Sequence, residues 1–190
     1  LIDGMGGSDF IDGGAGTDTL ALFGPSEHFV VTAVAGITRI EGREDANEYA
    51  GHVSRTVGVE TLGFIRNETQ TLQVNNTAKV FGSEGSDSLT GTKADEIFDG
   101  LGGADQVDGG AGSDTLVFFG PFRDFTVTAP SARNPELTIA GKDTAGKDFA
   151  GHTVVASNIE KLAFTDVQID VNNPPGLVVS PASTLLAEGV

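Results

Sequence analysis

Asp87, Glu96, Asp105 and Asp114 stand nine residues apart, each between a glycine-rich turn and a short apolar run. Residues 82–117 read GSEGSDSLT GTKADEIFD GLGGADQVD GGAGSDTLV, four blocks of nine in phase. Position one is Gly82, Gly91, Gly100 and Gly109. Position six is the acid, and position eight is Leu89, Phe98, Val107 and Leu116. Carboxylates repeated at a fixed interval supply hard oxygen ligands, which suit a hard cation. A flexible Gly/Asp-rich linker has no reason to place an apolar residue at position eight of every block.

The elements that must position these acids follow from the same nine residues. The first six turn sharply, and glycine supplies positive φ there without steric cost. The last three form a short strand whose middle side chain points inward. Two blocks complete one coil, so turns on the same side recur every eighteen residues. Stacked strands lie ~4.8 Å apart, and an ion with oxygens at ~2.4 Å on either side spans nearly that distance. The spacing therefore predicts that Asp87 meets Asp105, and Glu96 meets Asp114, across a calcium ion. Glu96 departs from the aspartate pattern, and its longer stem is expected to weaken or shift its site. Same-side carboxylates ~5 Å apart repel by about 3 kcal/mol at an effective dielectric of ~20. The roll also has a thin apolar core, so the ions are expected to carry much of its stability.

This repeat resembles the RTX (repeats-in-toxin, haemolysin-type) calcium-binding nonapeptide of secreted Gram-negative proteins. The resemblance implies parallel β-rolls, export by a type I secretion machine and folding on calcium outside the cell. It also implies backbone carbonyl ligands. These are Gly82, Glu84, Leu101 and Gly103 with the Asp87–Asp105 pair, and Gly91, Lys93, Gly110 and Gly112 with the Glu96–Asp114 pair.

A first array occupies residues 1–21. Ile2 and Asp3 fill positions eight and nine of a block that starts before Leu1, so the chain reads as a piece of something longer. GMGGSDFID (4–12) and GGAGTDTLA (13–21) are complete, with Asp9 and Asp18 at position six. In the same phase Glu27 falls at position six of a degraded block, LFGPSEHFV, where Pro25 replaces a glycine. Asp9 is expected to pair only with Glu27, and the partner of Asp18 would precede Leu1. Array one is therefore expected to hold fewer or weaker ions than array two.

The arrays alternate with non-repeat sequence that is itself written twice. DTLALFGPSEHFVVTA (18–33) aligns with DTLVFFGPFRDFTVTA (114–129), and AGHVSRTVGVETLGF (50–64) with AGHTVVASNIEKLAF (150–164). Phe29–Ala33 and Gly36–Glu41 read as two strands around a turn, Val57–Ile65 as one strand and Thr71–Val74 as another. The expected fold is all-β: two tandem parallel β-roll arrays, each followed by a β cap of about five strands, related by internal duplication. Unit one covers 1–74 (array 1–21, cap 22–74) and unit two 75–171 (array 75–117, cap 118–171). Two prolines in NNPPG mark a boundary, and 172–190 reads as a linker plus the first strand of a following domain.

Charge and composition narrow the partners. The 27 acids against 11 bases give a net charge of −16, which disfavours nucleic acid and anionic membrane and favours cations. With no cysteine, neither a disulfide nor a thiolate site is available as a staple. No apolar run is long enough to span a bilayer as a helix. His52 and His152 occupy matching A-G-H triplets, and without further ligands nearby they read as structural residues. No H-E-x-x-H or other catalytic constellation is visible. The sequence thus points to a non-enzymatic, calcium-binding module of a secreted or cell-surface bacterial protein, with a structural or adhesive role. The alternative is an accessory module of a secreted polysaccharide-modifying enzyme. A glycan, or a neighbouring domain of the same chain, would be its partner besides calcium.

Overall fold

The computed structural model describes residues 2–3, 8–43, 49–64, 69–71, 77–130, 136–143, 149–171 and 178–181. The chain divides into two compact units, Leu1–Asn76 and Thr77–Val190. Nearly all of the regular structure in both is strand.

In the second unit the nonapeptides wind as a coil. Strands β9 (Ala78–Ser83), β11 (Glu96–Leu101) and β13 (Thr115–Val117) stack in parallel on one face. On the other lie β10 (Ser88–Thr90) and β12 (Ala104–Asp108), also parallel. Val80 pairs with Phe98, Phe98 with Leu116 and Leu89 with Val107, each eighteen residues on. Their side chains fill the inside of the coil: Phe98, Val107 and Leu116 are buried, while Leu89 and Val80 are half-buried and pack against them.

The cap continues this coil before closing it. After a hairpin of β14 (Phe125–Thr128) and β15 (Leu137–Gly141), β16 (Thr153–Ser157) runs parallel to β12, with Ala156 beside Val107. The chain then turns a corner into β17 (Lys161–Ala163), which runs parallel to β13 with Leu162 beside Leu116. Antiparallel partners finish both sheets: β15 against β16, β18 (Val167–Asp170) against β17, and β19 (Val178–Pro181) against β18. The sheets are ordered β9-β11-β13-β17-β18-β19 and β10-β12-β16-β15-β14. Phe118, Phe125 and Phe164 pack ring against ring at 5.0–5.3 Å and join the coil interior to the cap.

The first unit pairs in the same order. Its coil strands are β1 (Ile2–Asp3), β2 (Ser8–Asp12) and β3 (Thr19–Leu22), and its cap strands β4 (Phe29–Val34), β5 (Ile37–Gly42), β6 (Val53–Val57), β7 (Thr61–Phe64) and β8 (Thr69–Thr71). The sheets are β1-β3-β7-β8 and β2-β6-β5-β4. The β4–β5 hairpin turns through Ala35 and Gly36, both at positive φ, as a tight two-residue hairpin turn requires.

One expectation changes. The single strand expected over Val57–Ile65 is two strands, β6 and β7, on opposite faces of the coil, broken where Gly58 takes φ of +60°. Of the aligned residues Phe23 and Phe119, the first is 54 % exposed and the second 7 % exposed. The Thr71–Val74 strand falls mostly outside the described residues. Of 172–190 only Val178–Pro181 is described, and it pairs with β18.

Candidate metal centre

The turns bring together the acids that the nine-residue phase pairs. The Asp87 N–H donates to Asp105 Oδ1 at 3.0 Å, and the Glu96 N–H to Asp114 Oδ1 at 2.8 Å. Each carboxylate thus hangs beneath the turn eighteen residues before it. Glu96, Asp105 and Asp114 are 3 %, 3 % and 0 % exposed, a burial that charged groups tolerate only with compensation. Burial raises the carboxyl pKa of Asp105, and the charge of Asp87 adds to it against a backbone hydrogen bond that lowers it. Burial likewise raises Asp114, helped by the charges of Glu96, Glu160 and Asp95. The ion pairs Arg39–Glu41 and Arg123–Asp124 belong to the caps and leave these acids alone.

The turns have a second acidic set that the sequence reading passed over. Position nine is Asp12, Asp99 and Asp108 in three blocks. Each accepts the N–H two residues on, from Gly14, Leu101 and Gly110 at 2.8–3.1 Å. Such local side-chain bonds fix the entry to a turn. Leu101 is thereby held at φ of +68°, a conformation costly for a residue with a Cβ. The first two turns are braced differently. The Ser83 N–H and hydroxyl donate to Asp87 Oδ2 at 2.7 and 2.8 Å, and the Thr92 N–H and hydroxyl to Glu96. The longer stem of Glu96 folds back onto its own turn. Asp95 accepts the Ser113 N–H from the next turn on its side at 2.8 Å.

Backbone carbonyls also pack closely against the glycines of neighbouring turns. A Cβ on Gly103 would collide with the Gly85 carbonyl, one on Gly110 with that of Thr92 and one on Gly112 with that of Ala94. The Gly100 and Gly109 carbonyls lie under Gly82 and Gly91. Thr92 O already accepts the Ala111 N–H at 3.0 Å. Glu84 and Lys93 sit in the same turns with exposed side chains. Residue types do not encode the direction of a carbonyl, so this detail was not available to a sequence reading.

In the first unit Glu27 is an exposed residue of the 3-10 turn Ser26–His28, and the chain has left the coil there. β2 pairs with β6, setting Asp9 beside Ser54, so the pairing of Asp9 with Glu27 does not form. Asp18 has a partner that the sequence reading missed: its N–H donates to Glu60 Oε2 at 2.6 Å. Glu160 does the same for Asp114 at 2.8 Å. The signal was the matching glutamate in the duplicated VETLGF and IEKLAF tails. His52 and His152 lie in matching cap turns: the backbone N–H of each donates to the carbonyl of Tyr49 or Phe149, and its backbone carbonyl accepts the N–H of Gly42 or Gly141. The His152 ring also lies over Gly102.

Among the described residues no group of three or more His, Cys, Asp or Glu side chains gathers as a metal site. An ion here would take carboxylate and carbonyl oxygens together, a hard donor set suited to calcium. Asp18 Oδ2 and Asp114 Oδ2 are buried and have no hydrogen-bond partner among the described residues, as expected of oxygens placed to receive a cation.

Among solved structures, the extracellular lipase LipA from Serratia marcescens is similar at 16 % identity and a TM-score of 0.30, over 81 % of this chain and 32 % of the lipase chain. No curated protein matches the chain. A family model, the RTX calcium-binding nonapeptide repeat, matches four copies over residues 1–21 and 81–116. Those segments hold the position-six acids, the turns of 81–116 stack the buried ones, and the chain carries RTX repeats that bind Ca2+.

Proposed function

We propose that this chain is a non-catalytic β-roll module of a secreted or cell-surface bacterial protein, one that folds on extracellular calcium and serves a structural or adhesive role. The observation that carries the reading is the two carboxylate stacks at eighteen-residue spacing, Asp87 with Asp105 and Glu96 with Asp114, in which Glu96, Asp105 and Asp114 are buried. Such a stack is self-repelling until a cation enters it, and a cation that binds only the folded state stabilises that state by mass action. Calcium is abundant outside the cell and scarce within, so the fold would be completed after export. Among the described residues no helix is long and apolar enough to cross a membrane.

The alternative, a glycan-binding accessory module, would use the open groove of about 450 Å³ over β10, β12 and β16. Its lining includes Ser88, Thr90, Gln106, Asp108, Glu136 and Ser157 and no aromatic ring. Hydroxyls and carboxylates there suit sugar hydroxyls, but a stacking platform is missing from the lining, and the structural reading is the stronger.

The test is a far-ultraviolet circular-dichroism titration. The spectrum in chelator is expected to be largely disordered and to gain β signal with added calcium. A spectrum unchanged between chelator and calcium would sink the reading.

A further inference from the structure

The carboxylate row does not end with the last nonapeptide. The corner between β16 and β17 is Asn158-Ile159-Glu160, three residues where a nonapeptide turn uses six. It nevertheless keeps the two features that the repeat turns offer an ion.

The first is a carbonyl under the glycine above. A Cβ on Gly91 would lie 2.7 Å from Glu96 Oε2 and closer still to Gly109 O. A Cβ on Gly109 would lie 2.7 Å from Asp114 Oδ2 and closer still to Asn158 O. Asn158 O therefore stands to Asp114 as Gly109 O stands to Glu96. Asn158 is held in this pose at φ of +53°, with its side-chain amide donating to Asp108 Oδ1 at 2.8 Å.

The second feature is a carboxylate under the acid above. Glu160 Oε2 accepts the Asp114 N–H at 2.8 Å, as Asp114 Oδ1 accepts the Glu96 N–H at 2.8 Å. The extra methylene of glutamate makes up for the shortened turn.

Asp114 is the group left incomplete. It is 0 % exposed, its Oδ1 serves the turn above, and its Oδ2, close to the Asn158 carbonyl, has no hydrogen-bond partner among the described residues. Asp114 Oδ2 and Asn158 O lie within 2.7 Å of one point, so their separation is below twice that distance. A calcium ion bound at ~2.4 Å to each oxygen spans up to ~4.8 Å.

We propose that Asp114 Oδ2, the Asn158 carbonyl and the Glu160 carboxylate bind a further calcium ion, which closes the row between the last repeat and the cap. The first unit repeats the arrangement with Asp18, Gly58 and Glu60. Asp18 Oδ2 is buried without a hydrogen-bond partner among the described residues, the Gly58 carbonyl lies under Gly13, and Glu60 holds the Asp18 N–H. The inference rests on the reading of the repeat turns as calcium sites, and it adds a site outside the nonapeptides in each unit.

The test is the number of calcium ions bound per full chain, measured by competition with a chromophoric chelator. Glu160→Gln keeps an oxygen for the Asp114 N–H and removes only the charge. It is expected to lose one high-affinity ion and part of the calcium-induced rise in melting temperature, with the β signal retained. Glu60→Gln should lose one ion likewise, and the double variant two. Unchanged stoichiometry and affinity in both single variants, with an ion lost in Asp105→Asn, would overturn this inference and leave the proposed function standing. A wild-type chain that binds no calcium overturns both. Should the variants misfold, an anomalous-difference map of calcium-loaded wild-type crystals decides. A peak ~2.4 Å from Asp114 Oδ2 and Asn158 O is expected, and a map without it there rejects the site.

Discussion

Burial sets what Asp105 and Asp114 do in the absence of a cation. Their carboxyl pKa values are raised in the fold, first by desolvation and then by neighbouring carboxylates. The folded metal-free chain therefore holds more protons than the unfolded one at pH values above the ordinary carboxylate value of about 3.9. By linkage, their contribution to stability is greatest below that value and is lost as pH rises through the folded pKa. Protons and calcium compete for the same oxygens. Apparent calcium affinity should therefore rise as pH is raised above the ordinary carboxylate value, and Asp105→Asn should flatten that slope. A slope identical to wild type would remove Asp105 from the account. In saturating calcium the same variant should be less stable by about 2–3 kcal/mol, the contribution of a ligand at roughly a hundred times its Kd. At this scale the sequence was informative about position six and silent about position nine. The aspartates were equally visible at both, but only a folded turn shows which N–H each one reaches.

A nonapeptide turn is a stack of backbones with little room for side chains, and the room differs from glycine to glycine. A Cβ on Gly109 would run into the Asn158 carbonyl and into Asp114, although the φ of Gly109 is unexceptional. A Cβ on Gly85 meets only the Ser83 hydroxyl at 3.4 Å. Gly109→Ala is expected to destabilise the calcium-loaded protein by about 3 kcal/mol, the upper end for overpacking against atoms that cannot yield. Gly85→Ala should cost well under half of that. Chemical denaturation of the two variants checks the difference, and equal costs would mean that the turns are not packed as described. The coil strands were legible because their apolar residue recurs every nine positions. The corner at Gly58–Glu60 was not, because its three residues carry no phase, and the apolar residues on either side of it run together as one strand. The glutamates that end the carboxylate rows were hidden for the same reason. Only the duplication of their surroundings marked them.

At the scale of the whole chain, a net charge of −16 and a coil interior one side chain deep explain why composition pointed to cations before any residue was assigned. What composition did not contain is how the roll is finished. The cap supplies a last parallel strand to each face and then antiparallel strands that close both sheets. The cap therefore reads the phase of the coil: β16 fits only beneath the β12 face, and β17 only beneath the β13 face. Length in such a molecule comes in quanta. Removing residues 82–99 takes out one full coil and returns every later strand to its own face. Removing 82–90 takes out half a coil and sends the incoming chain to the wrong side of the roll. The shorter deletion should be the more damaging, losing calcium-dependent β signal that the longer one keeps. Equal tolerance of both would show that the faces are interchangeable. Arrays that lengthen or shorten by recombination would then survive mainly in steps of eighteen residues, so the geometry of a single coil acts as a filter on which gene rearrangements yield a foldable protein.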